Sequence, residues 1–451
     1  MSNHLIFSQP YLLASALEIV YITPYFLRLE LNDLLDATFW MIPVLLTTIL
    51  APVASGFARS SSFQRAMKLI TIVISALGCF AFAYFDQALE ALSIDWDRKK
   101  VLLSWLGLIA FCFIDVANEI AIVLQNQDVE RAPVTFQNYT QQKILLASSI
   151  GRIFGYFCGS LQVIGSNLYN ILENNINFSF FCAGFFMVAT LVSSYCWGQK
   201  NSGQTGKESE EEFTFASFKR ELEQLIPVPN EIRWDFEIID FSHPSSRKLS
   251  GKARCLLMAH FFGASNILML SVYATSWVAQ DLFKGDPYKS QTSGGLNILF
   301  DIGVSWGAFA LFLTSFVILL AGFAVDKMTR NPKKSVLKYF YIFSQLLATL
   351  SLFSCAFIDN FDDIFIVFPL TGFAFQTFQT IPEVLSDCLG SEKNIKKLKN
   401  VQSFVLFYAQ VFSFVVIPLF FLLFPDRNDN LWGMSFAGLN GLLSVIFALY
   451  I

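Results

Sequence analysis

Asp115 and Glu119 stand four residues apart in the stretch IDVANEIAIVLQ, inside a long apolar segment that begins at Val101. At helical spacing the two carboxyls share one face, about one turn from each other. A carboxylate near the middle of a bilayer costs roughly 2.5–3.5 kcal/mol on insertion scales. Two together need a bound proton, a partner cation or a water-filled cavity, and the chemistry open to them is proton binding and hydrogen bonding to a polar solute. Glu18, in SALEIVYITPYFLRLEL, is a third carboxyl in an apolar stretch. It reads either as a cavity-facing group or as a residue bonded to a neighbouring helix. Arg152, in SIGRIFGYFCGS, is either the countercharge for Asp115 or Glu119 or a side chain that snorkels to the interface.

A second constellation lies in QTFQTIPEVLSD, where Gln376, Gln379 and Glu383 fall at i, i+3 and i+7 on one helical face, extended by Thr380 and Asp387. Amide side chains carry donors and acceptors and suit sugar hydroxyls; a polar seam between helices is the plainer alternative. Pro382 would loosen a helix there. Gly151, Gly155 and Gly159 recur every four residues, a face that lets another helix approach closely. Asp301 either contributes to a pathway or only complements a helix start. Trp277 fits an interfacial aromatic belt. The mixed charges of residues 87–100 read as a solvated loop.

Other chemistries find no support. The eight cysteines fall in or beside apolar stretches without metal-ligand spacing, and the three histidines are scattered. No nucleophile–base pair or metal cluster suggests an enzyme, no cofactor is implied, and no basic stripe with interleaved aromatics suggests nucleic acid.

The elements that must carry these residues follow from composition. Of 451 residues, 54% are hydrophobic and 15% charged, and the mean hydropathy is +0.52. That much apolar surface predicts an all-α polytopic membrane protein. Twelve apolar runs, near 11–27, 36–56, 67–86, 101–125, 142–166, 178–198, 255–280, 300–325, 337–358, 363–386, 401–424 and 431–451, are each about the length that crosses a bilayer. They lack the period-2 alternation of barrel strands. With the N-terminus cytoplasmic, twenty-three Lys and Arg fall in inner loops and seven in outer ones, which predicts both termini inside. Residues 1–10 carry no basic stretch before a cleavable apolar core, so the first span is expected to be retained. One long polar segment, 199–253, begins with KNSGQTGKESEEE and holds a candidate surface helix, FTFASFKRELEQLI, ended by Pro227 and Pro229. It divides the chain into an N-terminal bundle, 1–198, and a C-terminal bundle, 254–451, of six spans each. Six plus six around a midplane site is the plan of major facilitator transporters.

These stretches resemble the glycoside/proton symporter group of the major facilitator superfamily, nearer to its animal proton-associated sugar transporters than to plant sucrose symporters. ALEIVYITPYFLRL is similar to the first-helix pattern, with Glu18 on the acidic position. IDVANE resembles the start of the fourth-helix signature, with Asp115 at the Asp implicated in proton coupling and sugar binding and Glu119 at the second acid of the animal members. GRIFGYFCGS, ATSWVAQDLFKGDPY and FDIGVSWG resemble the Gly-rich fifth helix, the Thr-Asp-Trp/Phe…Gly-Asp-Pro segment and its continuation. The chain departs from the pattern at VLQNQ, where Gly-Pro-x-Arg-Ala is usual, at Ser276 for an acidic residue and at Ser305 for an arginine.

The resemblance implies a sugar:proton symporter in a plasma membrane or an acidic organelle membrane, partnered by the lipid bilayer, a small sugar and protons. Asp115, Glu119 and Glu18 would handle the proton. Asp115, Arg152, Gln376, Gln379 and Glu383 would meet the substrate. A transporter-like scaffold or receptor without flux, and a facilitator for another small organic solute, are the competing expectations.

Overall fold

The computed structural model describes residues 2–29, 39–48, 61–92, 95–131, 149–161, 175–201, 251–287, 295–330, 332–389, 405–416 and 429–451, with a few isolated positions between them. Helices form where the apolar runs were read. In chain order they are α1 (Ser2–Arg28), α2 (Phe39–Thr48), α3 (Ser61–Ala91), α4 (Trp96–Arg131), α5 (149–159), α6 (Asn175–Asn201), α7 (Gly251–Trp277), α8 (Leu296–Thr329), α9 (Lys334–Ser354), α10 (Ile364–Leu389), α11 (Val405–Val416) and α12 (Asp429–Leu449). Eight of the described helices are long and apolar enough to cross a membrane. Most of the central segment 199–253 and the sequence of its expected surface helix lie outside the described residues.

Hydrogen bonds between helices show which ends lie together. On the side where α1 begins, the near side, Tyr11 Oη and Thr71 Oγ1 share a hydrogen bond of 2.7 Å. On the same side the Tyr341 hydroxyl donates to the Ala259 carbonyl at 2.9 Å. On the far side, Tyr25 Oη donates to the Leu103 carbonyl at 3.2 Å and Trp40 Nε1 to Thr23 Oγ1 at 3.1 Å. The stretch read as a solvated loop at 87–100 is instead the two ends of α3 and α4, held by Lys99 Nζ between Asp86 (2.8 Å) and Glu90 (3.1 Å). Carboxylates on both sides allow the Lys99 residue to be nearly buried.

Among the described residues, α1 packs on α3, α4 and α6, while α7 packs on α8, α10 and α12, an N-terminal and a C-terminal group of helices. Glycine decides how closely the helices approach. A Cβ at Gly155 would lie 2.6 Å from both Ala16 Cβ and the Leu13 carbonyl of α1, and one at Gly159 would lie 3.3 Å from Val20 Cγ1, so these two of the spaced glycines make a close seam with α1. A Cβ at Gly303 would lie 2.5 Å from Ala279 Cα, which brings α8 against the end of α7. There α7 widens into a single π turn, Val278–Leu282.

Contacts between the bundles fall at mid-depth and on the far side. Thr275 Oγ1 donates to the Val20 carbonyl, Arg28 pairs with Asp301, and Trp40 lies 5.7 Å from Phe414 between ring centroids. A Cβ at Gly159 would meet Ala308 Cβ at 3.1 Å. One apolar core accordingly runs through both bundles. The near-side third of the C-terminal bundle has a core of its own, including Leu256, Val325, Leu337, Leu385 and Ala448. Among the described residues, the two halves share a core from mid-depth to the far side, and the near-side third of the C-terminal bundle packs as a separate cluster. Trp277 is not interfacial: it is 1% exposed and its ring lies 6.1 Å from Phe368, since the close α7–α8 seam draws this end of α7 into the core.

Candidate functional site

Three carboxyls come together at mid-depth in the N-terminal bundle. Asp115 and Glu119 are half-buried on α4, one turn apart as their spacing requires. Glu18 of α1 is only 2% exposed and lies within Coulombic range of both. Asn118, between the two acids of α4, donates from Nδ2 to Glu18 Oε2 at 3.4 Å. The remaining oxygens, Glu18 Oε1 and Asn118 Oδ1, are buried without a hydrogen-bond partner among the described residues. A buried acceptor left in this way costs about 1–3 kcal/mol, and a proton on the Glu18 carboxyl would turn one of the two orphans into a donor. Sequence reasoning named the three acids and missed Asn118. Its signal was available: at i+3 from Asp115 it shares the acidic face.

Of the two readings of Glu18, the structure shows the bond to a neighbouring helix, and the side chain is buried. It belongs to the acidic cluster. Arg152 is not the countercharge. Among the described residues it makes no ion pair with Glu18, Asp115 or Glu119. Its Cζ lies 5.9 Å from the centre of the Phe375 ring on α10, a cation–π contact across the two bundles. The α1–α5 glycine seam leaves this face of α5 against the opposite bundle, whereas Glu18 of α1 turns toward α4.

On α10, Gln379 follows Phe375 by four residues and so lies on the same face, one turn nearer the near side. It is exposed, whereas Gln376 is 4% exposed and Glu383 half-buried. α10 continues through Pro382 without a break. The Pro382 carbonyl accepts from Ser386 Oγ at 2.9 Å and from Gln402 Nε2 at 3.0 Å. The predicted stripe is thus split: Gln376 into the packed side, Gln379 toward the gap between the bundles. The structure brings the three acids together, and brings Arg152 to α10, but it joins these two groups by no hydrogen bond among Glu18, Asp115, Glu119 and Arg152.

Asp301 does more than complement a helix start. It forms an ion pair with Arg28 at the far mouth, and Arg28 also lies over the Phe300 ring at 5.9 Å.

Comparison with solved structures gives the architecture its place. The xylose transporter XylE from E. coli, in an inward-open conformation, superposes over 99% of this chain and 93% of its own, with a TM-score of 0.57 and 14% identity. A bacterial homologue of the iron transporter ferroportin, in an outward-facing state, covers 99% of this chain and 98% of its own with a TM-score of 0.56 and 13% identity. The chain has the major facilitator fold. It is a multi-pass membrane protein, and these neighbours are transporters rather than enzymes. A mouse protein described as a membrane-associated transporter protein is 22% identical over 338 residues. That match takes in 66% of this chain and 62% of the mouse protein, so the chain spans less than two thirds of that relative. No family model matches the sequence.

Proposed function

We propose that this protein is a sugar:proton symporter that works by alternating access. The observation that carries the reading is the Glu18–Asn118 contact beside Asp115 and Glu119. Three ionised carboxyls in one weakly hydrated bundle repel one another and resist closure of the cavity. Protons relieve that cost, and the neutral groups can then donate and accept hydrogen bonds with a solute. Arg152 over Phe375, and the exposed amide of Gln379 below it, offer polar groups to the same solute from the α5 and α10 sides. Domains 1–198 and 254–451 would rock about this midplane site. The near side, which carries the excess of Lys and Arg in the sequence, would be cytoplasmic, and the far-side closure would correspond to an inward-facing state. A related neighbour, described as a proton:xylose symporter of the major facilitator superfamily, was solved with 6-bromo-6-deoxy-D-glucose; this supports the substrate class. Either a plasma membrane or an acidic organelle would supply the gradient.

The test is uptake of labelled mono- and disaccharides into proteoliposomes with and without an imposed proton gradient. Uptake should rise with an inward gradient, and Asp115→Asn should remove that rise. Uptake indifferent to the gradient in the unaltered protein rejects the coupling and leaves facilitated transport. A second reading, a facilitator of another small solute, draws on the replaced signature positions Ser276 and Ser305 and on the likeness to a ferroportin homologue. The same liposomes with a panel of organic solutes and divalent metal ions separate it from sugar symport. Ligand-dependent thermal stabilisation without flux of any solute would favour a receptor.

A further inference from the structure

Thr275 behaves unlike the other helical hydroxyls around it. Ser271, Thr314, Thr349 and Thr380 each donate to the carbonyl four residues back in their own helix, the habit of Ser and Thr in apolar helices. Thr275 Oγ1 instead donates across the bundles, to the Val20 carbonyl of α1 at 3.0 Å, and both partners are completely buried. The sequence explains why that carbonyl is free. Its helical donor would be the N–H of residue 24, and residue 24 is Pro. Close packing seals the bond from water: Gly307 lets α8 come against Thr275, and Gly159 lets α5 come against Val20 and Ala308.

We propose that Thr275 is a positioning residue for the change of access: its hydroxyl, docked on the carbonyl that Pro24 leaves without a donor, latches the two bundles at mid-depth, beneath the far-side mouth. The inference rests on the alternating-access reading above but not on sugar as the substrate. When the far side opens, Thr275 can fall back on the Ser271 carbonyl of its own helix, and water can take its place on Val20. Each state thus satisfies both groups, which suits a latch that must release. It also links the site to the gate, because Glu18 on one face of α1 meets the acids of α4 while Val20, two residues on, meets the other bundle.

The test is far-side accessibility, read in the full-length protein in nanodiscs, where both faces are wet. Val304, buried and on the α8 face shared by Asp301 and Ala308, is replaced by Cys, and its labelling by a membrane-impermeant maleimide is followed above the background of the native cysteines. Thr275→Val, which keeps the branched shape and loses the hydroxyl, should raise the labelling rate about five-fold, the ratio a buried neutral hydrogen bond commands. Thr275→Ser should restore the slow rate. Pro24→Ala, which returns an N–H to Val20, should raise the rate in the same direction, and adding Thr275→Val should then increase it by less than about two-fold. An unchanged rate in Thr275→Val overturns the latch. If that variant does not accumulate, an unchanged rate in Pro24→Ala overturns it. Labelling needs no substrate, so a latch that responds in a protein without proton-driven sugar uptake rejects the symport reading alone.

Discussion

Arg28, at the far end of α1, pairs with Asp301, at the start of α8, and so ties the N-terminal bundle to the C-terminal one where both meet the far surface. The two side chains keep 26% and 34% of their exposure. Solvent screens such a pair, and its worth is up to about 1 kcal/mol. Asp301→Asn should therefore loosen the far mouth modestly, by at most about five-fold in the labelling of a far-side cysteine. The charge-swapped pair Arg28→Asp with Asp301→Arg should recover the original rate. A double swap no slower than Asp301→Asn alone would mean the pair does not close the mouth.

Glu18→Gln keeps a side-chain oxygen that can accept from Asn118 and removes a titrating group. We expect little change in thermal stability and a loss of gradient-dependent uptake. Glu18→Leu removes the acceptor and leaves the Asn118 amide buried and unpaired, at about 1–3 kcal/mol. The order of the two melting temperatures in detergent checks the contact. Equal stability of the Gln and Leu variants would mean that the 3.4 Å contact carries no energy.

Gly155→Ala should destabilise the protein by about 1–3 kcal/mol, the range for overpacking a close seam. The added methyl meets Ala16 Cβ and the Leu13 carbonyl, and backbone cannot step aside as a flexible side chain can. Gly251→Ala, where a Cβ meets nothing within 4 Å, is the matched control and should leave the melting temperature unchanged.

Gln379 is exposed on the α10 face that Phe375 turns toward Arg152. Gln379→Ala should raise the apparent KM for the transported solute about two- to ten-fold, as one lost hydrogen bond does, with little effect on stability. A fall in maximal rate at constant KM would count against direct contact with the solute.

The helices were legible because twelve apolar runs of bilayer length leave few alternatives once backbone groups must be satisfied without water. The acidic cluster was legible in part. Helical geometry alone puts Asp115 and Glu119 on one face, but nothing local says that α1 presents Glu18 to that face with Asn118 between. The same limit explains Arg152 and Asp301. A lone charge in an apolar stretch announces that it needs a partner without naming it. Arg152 proved to face an aromatic ring of the other bundle, and Asp301 a cation 273 residues earlier in the chain.

What the sequence determined by itself was local and periodic: which stretches are helices, which residues share a face, where glycine permits close approach and where Pro24 leaves a carbonyl without its donor. Covalent spacing and the cost of unsatisfied backbone in lipid are enough for that. Only the tertiary structure decided who meets whom between bundles, which of Gln376 and Gln379 faces the gap, and that the halves are joined by Thr275 on Val20 at mid-depth and by Arg28 on Asp301 at the far side. Those contacts join residues hundreds of positions apart and depend on how the two packed halves sit against each other, a relationship that no periodicity within a single helix encodes.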